Sequence, residues 1–139
     1  MMKWKILAFT VAIMGILSVM SCESEKGPEY SFYRIAVDSI QVPENIRAGE
    51  PFEIRFYGVV GTDGCHQFSR FDTKMNAAML SVELWGRRAT GEIIFCPDVM
   101  VYLEGRTLEL TVDQPGEYIL EVRQPDGDPL EKDIQVEPS

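Results

Sequence analysis

His66 is the single histidine of this 139-residue chain, and it directly follows Cys65. Together with Cys96 and either Asp63 or Asp98, these residues could supply four ligands for zinc. The cysteines lack the Cys-x-x-Cys spacing of common zinc sites, and two such cysteines in an exported protein form a disulfide. We therefore predict a Cys65–Cys96 disulfide and neither a metal ion nor another cofactor. Closing a loop of about 31 residues stabilises a small domain by roughly 3 to 4 kcal/mol.

A hydrolase is the catalytic alternative. It needs a nucleophile, a base and a group that orients the base. Ser69 is the serine nearest to His66 in the chain, but the Gly-x-Ser-x-Gly turn is absent. A strand that contained both residues would also send their side chains to opposite faces. We therefore predict no catalytic residue and no enzyme activity, and a small hydrolase that uses His66 ranks last among the functions considered.

Aromatic and basic residues form a candidate binding surface. If the apolar residues at 80, 82 and 84 face the core, then Trp85 points outward, and Arg87 and Arg88 lie close behind it. A similar alternation at residues 52–57 places Tyr57 on the outward side of its strand. An exposed tryptophan beside arginines can stack on a sugar ring or anchor a protein partner. In the alternative arrangement Trp85 lies beneath a loop or against an edge strand.

Short alternating segments separated by Gly, Pro, Asn and Asp predict the elements that position these residues. We expect strands at 32–42, 52–57, 68–73, 80–85, 93–95, 99–103, 107–112, 117–122 and 134–136. Residues 74–79 fit either a strand or one helical turn, because Met75, Ala78, Met79 and Val82 have helical spacing. Seven to nine strands without a strong helix predict an all-β fold, an antiparallel β-sandwich.

Residues 113–118 (DQPGEY) place a turn directly before a tyrosine that opens a strand. This segment resembles the tyrosine corner of immunoglobulin-like domains, in which the phenol hydroxyl bonds to the backbone of the preceding turn. The segments VP at 42–43 and AGEPF at 48–52 resemble the opening strands of bacterial immunoglobulin-like modules. The chain departs from antibody domains in two ways. It lacks a tryptophan at the usual place between the cysteines, and Leu120 stands where the second cysteine would be.

The first 22 residues are typical of a secretory leader. Lys3 and Lys5 precede an apolar run, and Ser21 precedes Cys22. The apolar run, residues 6–20, is shorter than the roughly 20 residues that cross a bilayer as a helix. Residues 19–22 resemble the lipobox of bacterial lipoproteins, which implies acyl chains such as palmitate on Cys22. Glu23 stands where such proteins often carry an aspartate for inner-membrane retention, which favours an anchor in the outer membrane. The acidic residues that follow Cys22 are compatible with exposure at the cell surface, and the periplasmic side is the alternative. Ordinary signal cleavage without lipid is the alternative.

The resemblance implies a signal peptide at 1–21, a lipid-anchored tether at 22–29 and one immunoglobulin-like domain at 30–139. The segments DGC at 63–65, WGR at 85–87 and CP at 96–97 also resemble small uncharacterised exported lipoproteins. Removal of the leader takes away two of thirteen basic residues and none of 22 acidic ones, so the mature net charge is −11. Nucleic acid and anionic lipid would repel such a chain, and we predict no nucleic-acid partner.

These observations favour a non-catalytic lipoprotein of the cell envelope that presents its domain as a binding or structural module. Its membrane contact runs through the lipid on Cys22, and its partner is an unidentified protein or glycan. The alternative is a protease inhibitor on an immunoglobulin-like scaffold, for which residues 61–67 would be the inhibitory loop.

Overall fold

The computed structural model describes residues 27–91 and 94–139, and these residues form an all-β sandwich. The predicted signal peptide and residues 22–26 of the tether, Cys22 among them, lie outside the described residues. The strands are β1 (Glu29–Arg34), β2 (Ser39–Gln41), β3 (Ile46–Arg47), β4 (Pro51–Tyr57), β5 (Val59–Gly61), β6 (His66–Asn76), β7 (Met79–Thr90), β8 (Val101–Tyr102), β9 (Arg106–Thr111), β10 (Gly116–Val122) and β11 (Leu130–Glu137). None of the described residues forms a helix long and apolar enough to cross a membrane.

The predicted sandwich is confirmed, and the strand count exceeds nine because four strands contain only two or three residues. These are β2, β3, β5 and β8. The expected first strand at 32–42 is divided into β1 and β2 by residues 35–38, where the chain passes from one sheet to the other.

Strands β6 and β7 form the longest element of the molecule, a hairpin of 11 and 12 residues. They pair antiparallel from His66 opposite Arg88 to Asn76 opposite Met79, with one irregularity between Phe68 and Arg70. The helical turn considered for residues 74–79 is therefore wrong. Backbone groups there pair across the hairpin. Of the residues whose spacing suggested a helix, Met75, Ala78 and Met79 are exposed, and Val82 is buried as part of strand β7.

The larger sheet has six strands in the order β1-β7-β10-β11-β3, and β6 pairs with the other edge of β7. One edge of β7 is shared, since its first residues pair with β10 and its last residues pair with β1. The pairings of β7 with β10 and of β11 with β3 are parallel, a feature that the sequence analysis did not predict. The remaining pairings among the described residues are antiparallel.

A three-stranded sheet, β2-β4-β9, packs on the larger one, and β5 pairs with β8 beside it. The core between them consists of alternate residues of each strand, as the alternation predicted. Examples are Ile54 and Phe56 of β4, Val82 and Leu84 of β7, and Leu120 of β10, all of which are fully buried. Burial of such side chains supplies about 1.5 to 3 kcal/mol each and is the main stabilising term of the sandwich.

The tyrosine corner is present. The hydroxyl of Tyr118, at the third position of β10, donates a hydrogen bond of 2.9 Å to the backbone carbonyl of Gln114. Its ring is 9% exposed and belongs to the core. This bond fixes the turn that leads into β10, so the local likeness to immunoglobulin-like domains extends to atomic contacts.

One predicted strand is absent. Ile94 and Phe95 lie in a loop between β7 and β8, whereas a strand was expected at 93–95. Ile93 itself is outside the described residues. Phe95 is 89% exposed, so this apolar segment forms a surface loop and not the buried strand that its composition predicted.

Candidate functional site

The larger sheet has an outer face, the side turned away from the core, that combines aromatic rings with guanidinium groups. We define this outer face by Tyr30, Phe32 and Arg34 of β1, Gln67, Arg70 and Asp72 of β6, Ser81, Glu83, Trp85 and Arg87 of β7, Glu121 of β10 and Arg123, which directly follows β10. Each belongs to the parity opposite to the buried residues of its strand. The β6 irregularity at 68–70 keeps both Gln67 and Arg70 on this side.

Trp85 occupies the middle of the outer face, as the alternation predicted, but its ring is covered. The guanidinium carbons of Arg70 and Arg34 lie 5.1 Å and 5.5 Å from the ring centroid, one from each neighbouring strand. Both contacts are cation–π interactions. The indole N–H of Trp85 and the Nε of Arg34 are buried without a hydrogen-bond partner. A ligand that stacks on Trp85 must therefore displace an arginine.

Arg87 differs from the other arginines of this face because it has no carboxylate partner among the described residues. Its guanidinium lies 4.5 Å from the ring centroid of Tyr30 and donates from Nε and one Nη to Oε1 of Gln67. These contacts hold the side chain in place, and no carboxylate within residues 27–91 or 94–139 neutralises its positive charge. Arg87 can consequently pair with a carboxylate that a partner supplies.

Carboxylates neutralise the rest of the face. Glu83 lies 3.2 Å from an Arg34 nitrogen and 3.7 Å from an Arg123 nitrogen. Glu121 accepts hydrogen bonds from Arg123 and from the Ser81 hydroxyl, each of 3.0 Å. The hydrogen bonds from Arg123 and Ser81 lower the pKa of Glu121 and outweigh its desolvation. The ion pairs fix the side chains of this part of the face.

The four residues predicted as a binding surface do not lie together. Trp85 and Arg87 share the outer face, but Arg88 has the opposite parity and its guanidinium lies 3.3 Å from Asp63. Tyr57 belongs to β4 of the smaller sheet, where its hydroxyl donates to Gln41. Phe32, Arg34 and Arg70 instead join Trp85. They were missed because alternation identifies the face of a residue but not which strands are neighbours.

The predicted disulfide between Cys65 and Cys96 is present, with the Cα atoms 5.1 Å apart. It ties the chain after β7 to the turn before β6. Backbone hydrogen bonds support it, from Gly64 N–H to the Pro97 carbonyl (2.8 Å) and from Ala89 N–H to the Cys65 carbonyl (3.2 Å). We call this region, residues 61–66, 88–90 and 94–97, the disulfide end of the hairpin.

Asp63 organises the polar contacts of the disulfide end. Its carboxylate accepts from the Cys65 N–H (3.0 Å), from Nδ1 of His66 (2.8 Å) and from Arg88 (3.3 Å). Desolvation would raise the pKa of Asp63, but these three hydrogen bonds outweigh it and hold the pKa below its ordinary value. Because a carboxylate can only accept, Nδ1 of His66 is the donor of this hydrogen bond. The Asp-x-x-His spacing was the signal in the sequence for this pair.

Tyr33 closes the inner side of the same cluster. Its hydroxyl donates 2.6 Å to the Val60 carbonyl, and its ring meets the imidazole of His66 edge to face at 5.6 Å. Burial, and to a smaller extent the charge of Asp63, raises the pKa of Tyr33. A Cβ at Gly86 would clash with this ring, and a Cβ at Gly61 would clash with the His66 ring. Both glycines are therefore required by close packing.

The chemistry of this cluster is limited by its bonds. The Asp63 carboxylate and the sulfur atoms of Cys65 and Cys96 lie within 4.8 Å of one another, but the sulfurs are joined to each other and are not the thiolates that bind metals. His66 has an orienting carboxylate, and its hydrogen bonds among the described residues run to Asp63. In residues 61–67, considered as an inhibitory loop, Cys65 is buried and His66 packs on Gly61, whereas Thr62 and Gln67 are exposed.

A second apolar feature adjoins the disulfide end. Residues 94–102, which we call the apolar loop, expose the side chains of Ile94, Phe95, Val99, Met100 and Tyr102. These are five of the nine large apolar side chains that are exposed among the described residues. The loop is held at Cys96 by the disulfide and at Val101–Tyr102 by pairing with β5.

Comparisons with protein-family models, with curated proteins and with solved structures find no match for this chain, so its function must be argued from its own residues.

Proposed function

We propose that the chain is an exported, lipid-anchored binding protein without catalytic activity, whose outer face holds a protein or glycan that presents carboxylate groups. The basis for export and for the lipid is the leader and the Cys22 motif. The disulfide supports the same compartment, because such bonds persist outside the reducing cytoplasm.

The observation that carries the binding proposal is the position of Arg87. The mature chain is strongly acidic, yet four of its eight arginines lie on one face of one sheet. Three of them are paired with Glu83, Asp72 or Glu121, whereas the contacts of Arg87 within the described part of the chain are those with Tyr30 and Gln67. Because stacking already restricts the guanidinium, the side chain loses little further conformational entropy when it binds a ligand. An incoming carboxylate can therefore form two parallel hydrogen bonds at small entropic cost.

The aromatic rings beside Arg87 provide the apolar part of the surface. Phe32 is more than half exposed and lies next to Arg87 in the register of β1 and β7. Arg70 lies 5.7 Å from the Phe32 ring centroid and connects it to Trp85. Rings and guanidinium groups in this arrangement are typical of the centres of protein interfaces and of sugar-binding surfaces.

The test replaces Phe32, an exposed outer-face residue next to Arg87, with a photo-crosslinking phenylalanine analogue in the cells that produce the protein. The wild-type chain is expected to give one dominant adduct, and Arg87→Ala is expected to reduce its yield by about tenfold, as for the loss of a charged hydrogen bond. The melting temperature should stay within about 2 °C, because Arg87 makes only surface contacts.

Arg106→Ala is the matched control. Arg106 also stacks on an aromatic ring, that of Phe68 at 4.8 Å, but it is exposed and belongs to β9 of the smaller sheet. It should leave the adduct unchanged. Equal losses for both variants, or an unchanged adduct in Arg87→Ala, would reject the outer face as the binding surface.

The lipid is tested separately. Intact mass of the mature protein should correspond to a chain that begins at Cys22 and carries acyl chains, and Cys22→Ser should release the protein from the membrane fraction. A mature chain without added lipid mass would reject the anchor and leave the binding surface to be judged by the cross-linking experiment.

A further inference from the structure

The apolar loop is unusual for its composition as well as for its exposure. Within residues 94–102 Asp98 is the one charged residue, in a mature chain with 22 acidic and 11 basic residues. Phe95 exposes 89% of its surface, and Val99 and Met100 are at least half exposed. Leaving such side chains in water has a cost, and contiguous apolar surface of this kind marks a contact with a partner or a membrane.

The loop is held rigidly enough to present these side chains in one direction. Cys96 is bonded to Cys65, the Pro97 carbonyl accepts from both Gly64 and Val99, and Val101 pairs with β5. Phe95 and Val99 therefore flank a fixed turn. A preorganised apolar loop loses little conformational entropy when it enters an apolar environment.

The start of the domain lies at the same end of the molecule as this loop. Cys96 is 5.1 Å from Cys65 between Cα atoms, Cys65 bonds to Ala89, and Ala89 pairs with Tyr30 of β1. Three steps of about 5 Å place the Cα atom of Tyr30 within roughly 15 Å of that of Cys96. Glu29, one residue earlier, pairs with Thr90, the last residue of β7.

The lipid on Cys22, if the proposed anchor is correct, is close to this end by covalent geometry alone. Seven residue steps separate Cys22 from Glu29, and a chain reaches at most about 3.6 Å per step, or roughly 25 Å. The membrane that holds the acyl chains therefore lies within that distance of Glu29, and the apolar loop is the exposed apolar cluster at this end of the hairpin.

We infer that residues 94–102 insert their apolar side chains into the surface of the membrane in which Cys22 is anchored. Phe95, Val99 and Met100 enter the boundary between headgroups and acyl chains, and Tyr102 occupies the aqueous side of it, as amphipathic rings do. The contact is apolar rather than electrostatic, since the mature net charge of −11 excludes attraction to anionic lipid. This inference rests on the proposed anchor and adds a second attachment to it.

The contact would determine the orientation of the domain. Strand β7 has 12 residues and runs from the apolar loop to the hairpin turn, a length of roughly 40 Å. With its last residues at the membrane, the hairpin projects away from the bilayer, and the outer face is presented to the side. One acyl chain alone binds weakly and reversibly, so a second apolar attachment would also slow release.

The experiment uses the full chain, processed and acylated by the producing cells and reconstituted into phosphatidylcholine vesicles. The vesicles contain a phosphatidylcholine with a photoreactive diazirine on its acyl chain, and lipid adducts are mapped by mass spectrometry. In the wild-type protein we expect adducts within residues 94–102 in addition to the acylated terminus. Phe95→Asp should reduce them by roughly tenfold, because the transfer of one large apolar side chain is lost.

Met75→Asp is the matched control. Met75 is 51% exposed, but it lies at the other end of the hairpin, next to the turn. It should leave the adducts unchanged. Met100→Asp is a second loop variant, and neither Phe95 nor Met100 belongs to the core, so both variants should keep the wild-type melting temperature.

The outcomes separate the inference from the proposed function. If the intact mass shows no acyl chain on Cys22, the anchor and the inference fail together. If acyl chains are present but residues 94–102 carry no more adducts than residues 75–79, the inference alone is overturned. It is also overturned if cross-linking from position 95 in intact cells yields a protein adduct in place of lipid, since the loop would then occupy a protein cleft.

Discussion

The two ends of the β6–β7 hairpin are stabilised by very different interactions. At one end the chain reverses direction between the two strands, and at the other end it enters β6 and leaves β7. At one end Ala77 and Ala78 form a two-residue turn between Asn76 and Met79. The disulfide end has a covalent bond, a carboxylate with three donors and the tightly packed Gly61, and a second such glycine, Gly86, lies two residues before it. Both ends belong to one continuous ladder, so the difference cannot come from the strands themselves.

Chain connectivity explains the difference. A two-residue turn is closed by the cross-strand hydrogen bonds of its own hairpin, and little entropy is lost in ordering it. At the disulfide end three separate segments converge, namely the start of β1, the turn before β6 and the apolar loop. Their ordering must be offset by contacts of long sequence separation. Specialised residues are therefore expected where the sheet joins distant segments.

Loss of the disulfide should give the largest effect. We expect Cys65→Ser with Cys96→Ser to lower the free energy of unfolding by about 3 to 4 kcal/mol, measured by urea denaturation. Amide hydrogen exchange should accelerate at residues 61–66 and 94–100 before it changes at residues 75–80. Reduction of the wild-type protein is the control and should cause the same loss. Equal acceleration at both ends would contradict the comparison.

The packed glycines should give the next largest effect. Gly86→Ala places a Cβ against the ring of Tyr33, which must move away from His66 and from the Val60 carbonyl. Overpacking of this kind costs about 1 to 3 kcal/mol. Tyr33→Ala supplies the control, because the glycine substitution should cost much less in that background. If the decreases in the free energy of unfolding were additive, the Cβ at position 86 and the ring of Tyr33 would not be in steric conflict.

A substitution in the two-residue turn should raise the free energy of unfolding instead of lowering it. Ala77 has a φ of 51°, the left-handed region that the first residue of a type II′ turn adopts and that favours glycine. Ala77→Gly removes roughly 1 to 2 kcal/mol of strain but adds about 0.4 to 1 kcal/mol of unfolded-state entropy. We therefore expect a gain of roughly 0.5 to 1 kcal/mol by the same denaturation assay.

Ala78→Gly is the control for the turn. Ala78 does not have a positive φ, so this substitution gives no relief of strain and should lower the free energy of unfolding by about 0.4 to 1 kcal/mol. A change of the same sign in both alanine variants would show that the backbone of Ala77 is not the source of the gain.

The fold was predictable where a feature is local. Alternation identified the buried residues of β4, β7 and β10, and the turn before Tyr118 indicated a hydrogen bond that is present. The turn at 77–78 was missed because two alanines carry no turn signal, and apolar spacing nearby fitted a helix equally well. The parallel pairing of β7 with β10 was missed because alternation within a strand does not identify its neighbours.

The candidate sites were predictable only in part, for the same reason. Cysteine parity identified the disulfide. Arg88 was predicted to share a surface with Trp85, because its contact with Asp63 depends on a turn 25 residues earlier. The stack of Arg34 and Arg70 on Trp85 joins three strands. The exposed loop at 94–102 has the composition of a strand, and only its lack of a pairing partner at residues 94–100 distinguishes it.

The smallest and most specific effect is on the melting temperature at low pH. The pKa of Asp63 is lowered from an ordinary value of 3.8, so its interactions stabilise the fold above that pH and are lost as the pH falls through the lower, folded pKa. Asp63→Asn should therefore flatten the decline of the melting temperature between about pH 4 and pH 2. The amide resonance of Cys65, which donates to this carboxylate, should also cease to titrate.

Glu121→Gln separates this effect from general acid sensitivity. Glu121 also has a lowered pKa, but it pairs with Ser81, near the turn of the hairpin, and its partners are Arg123 and the Ser81 hydroxyl. Its substitution should flatten part of the same decline and leave the titration of the Cys65 amide intact. If Glu121→Gln abolished that titration, the two ends would be coupled through the sheet, and the disulfide end would not be the separate polar unit that its contacts indicate.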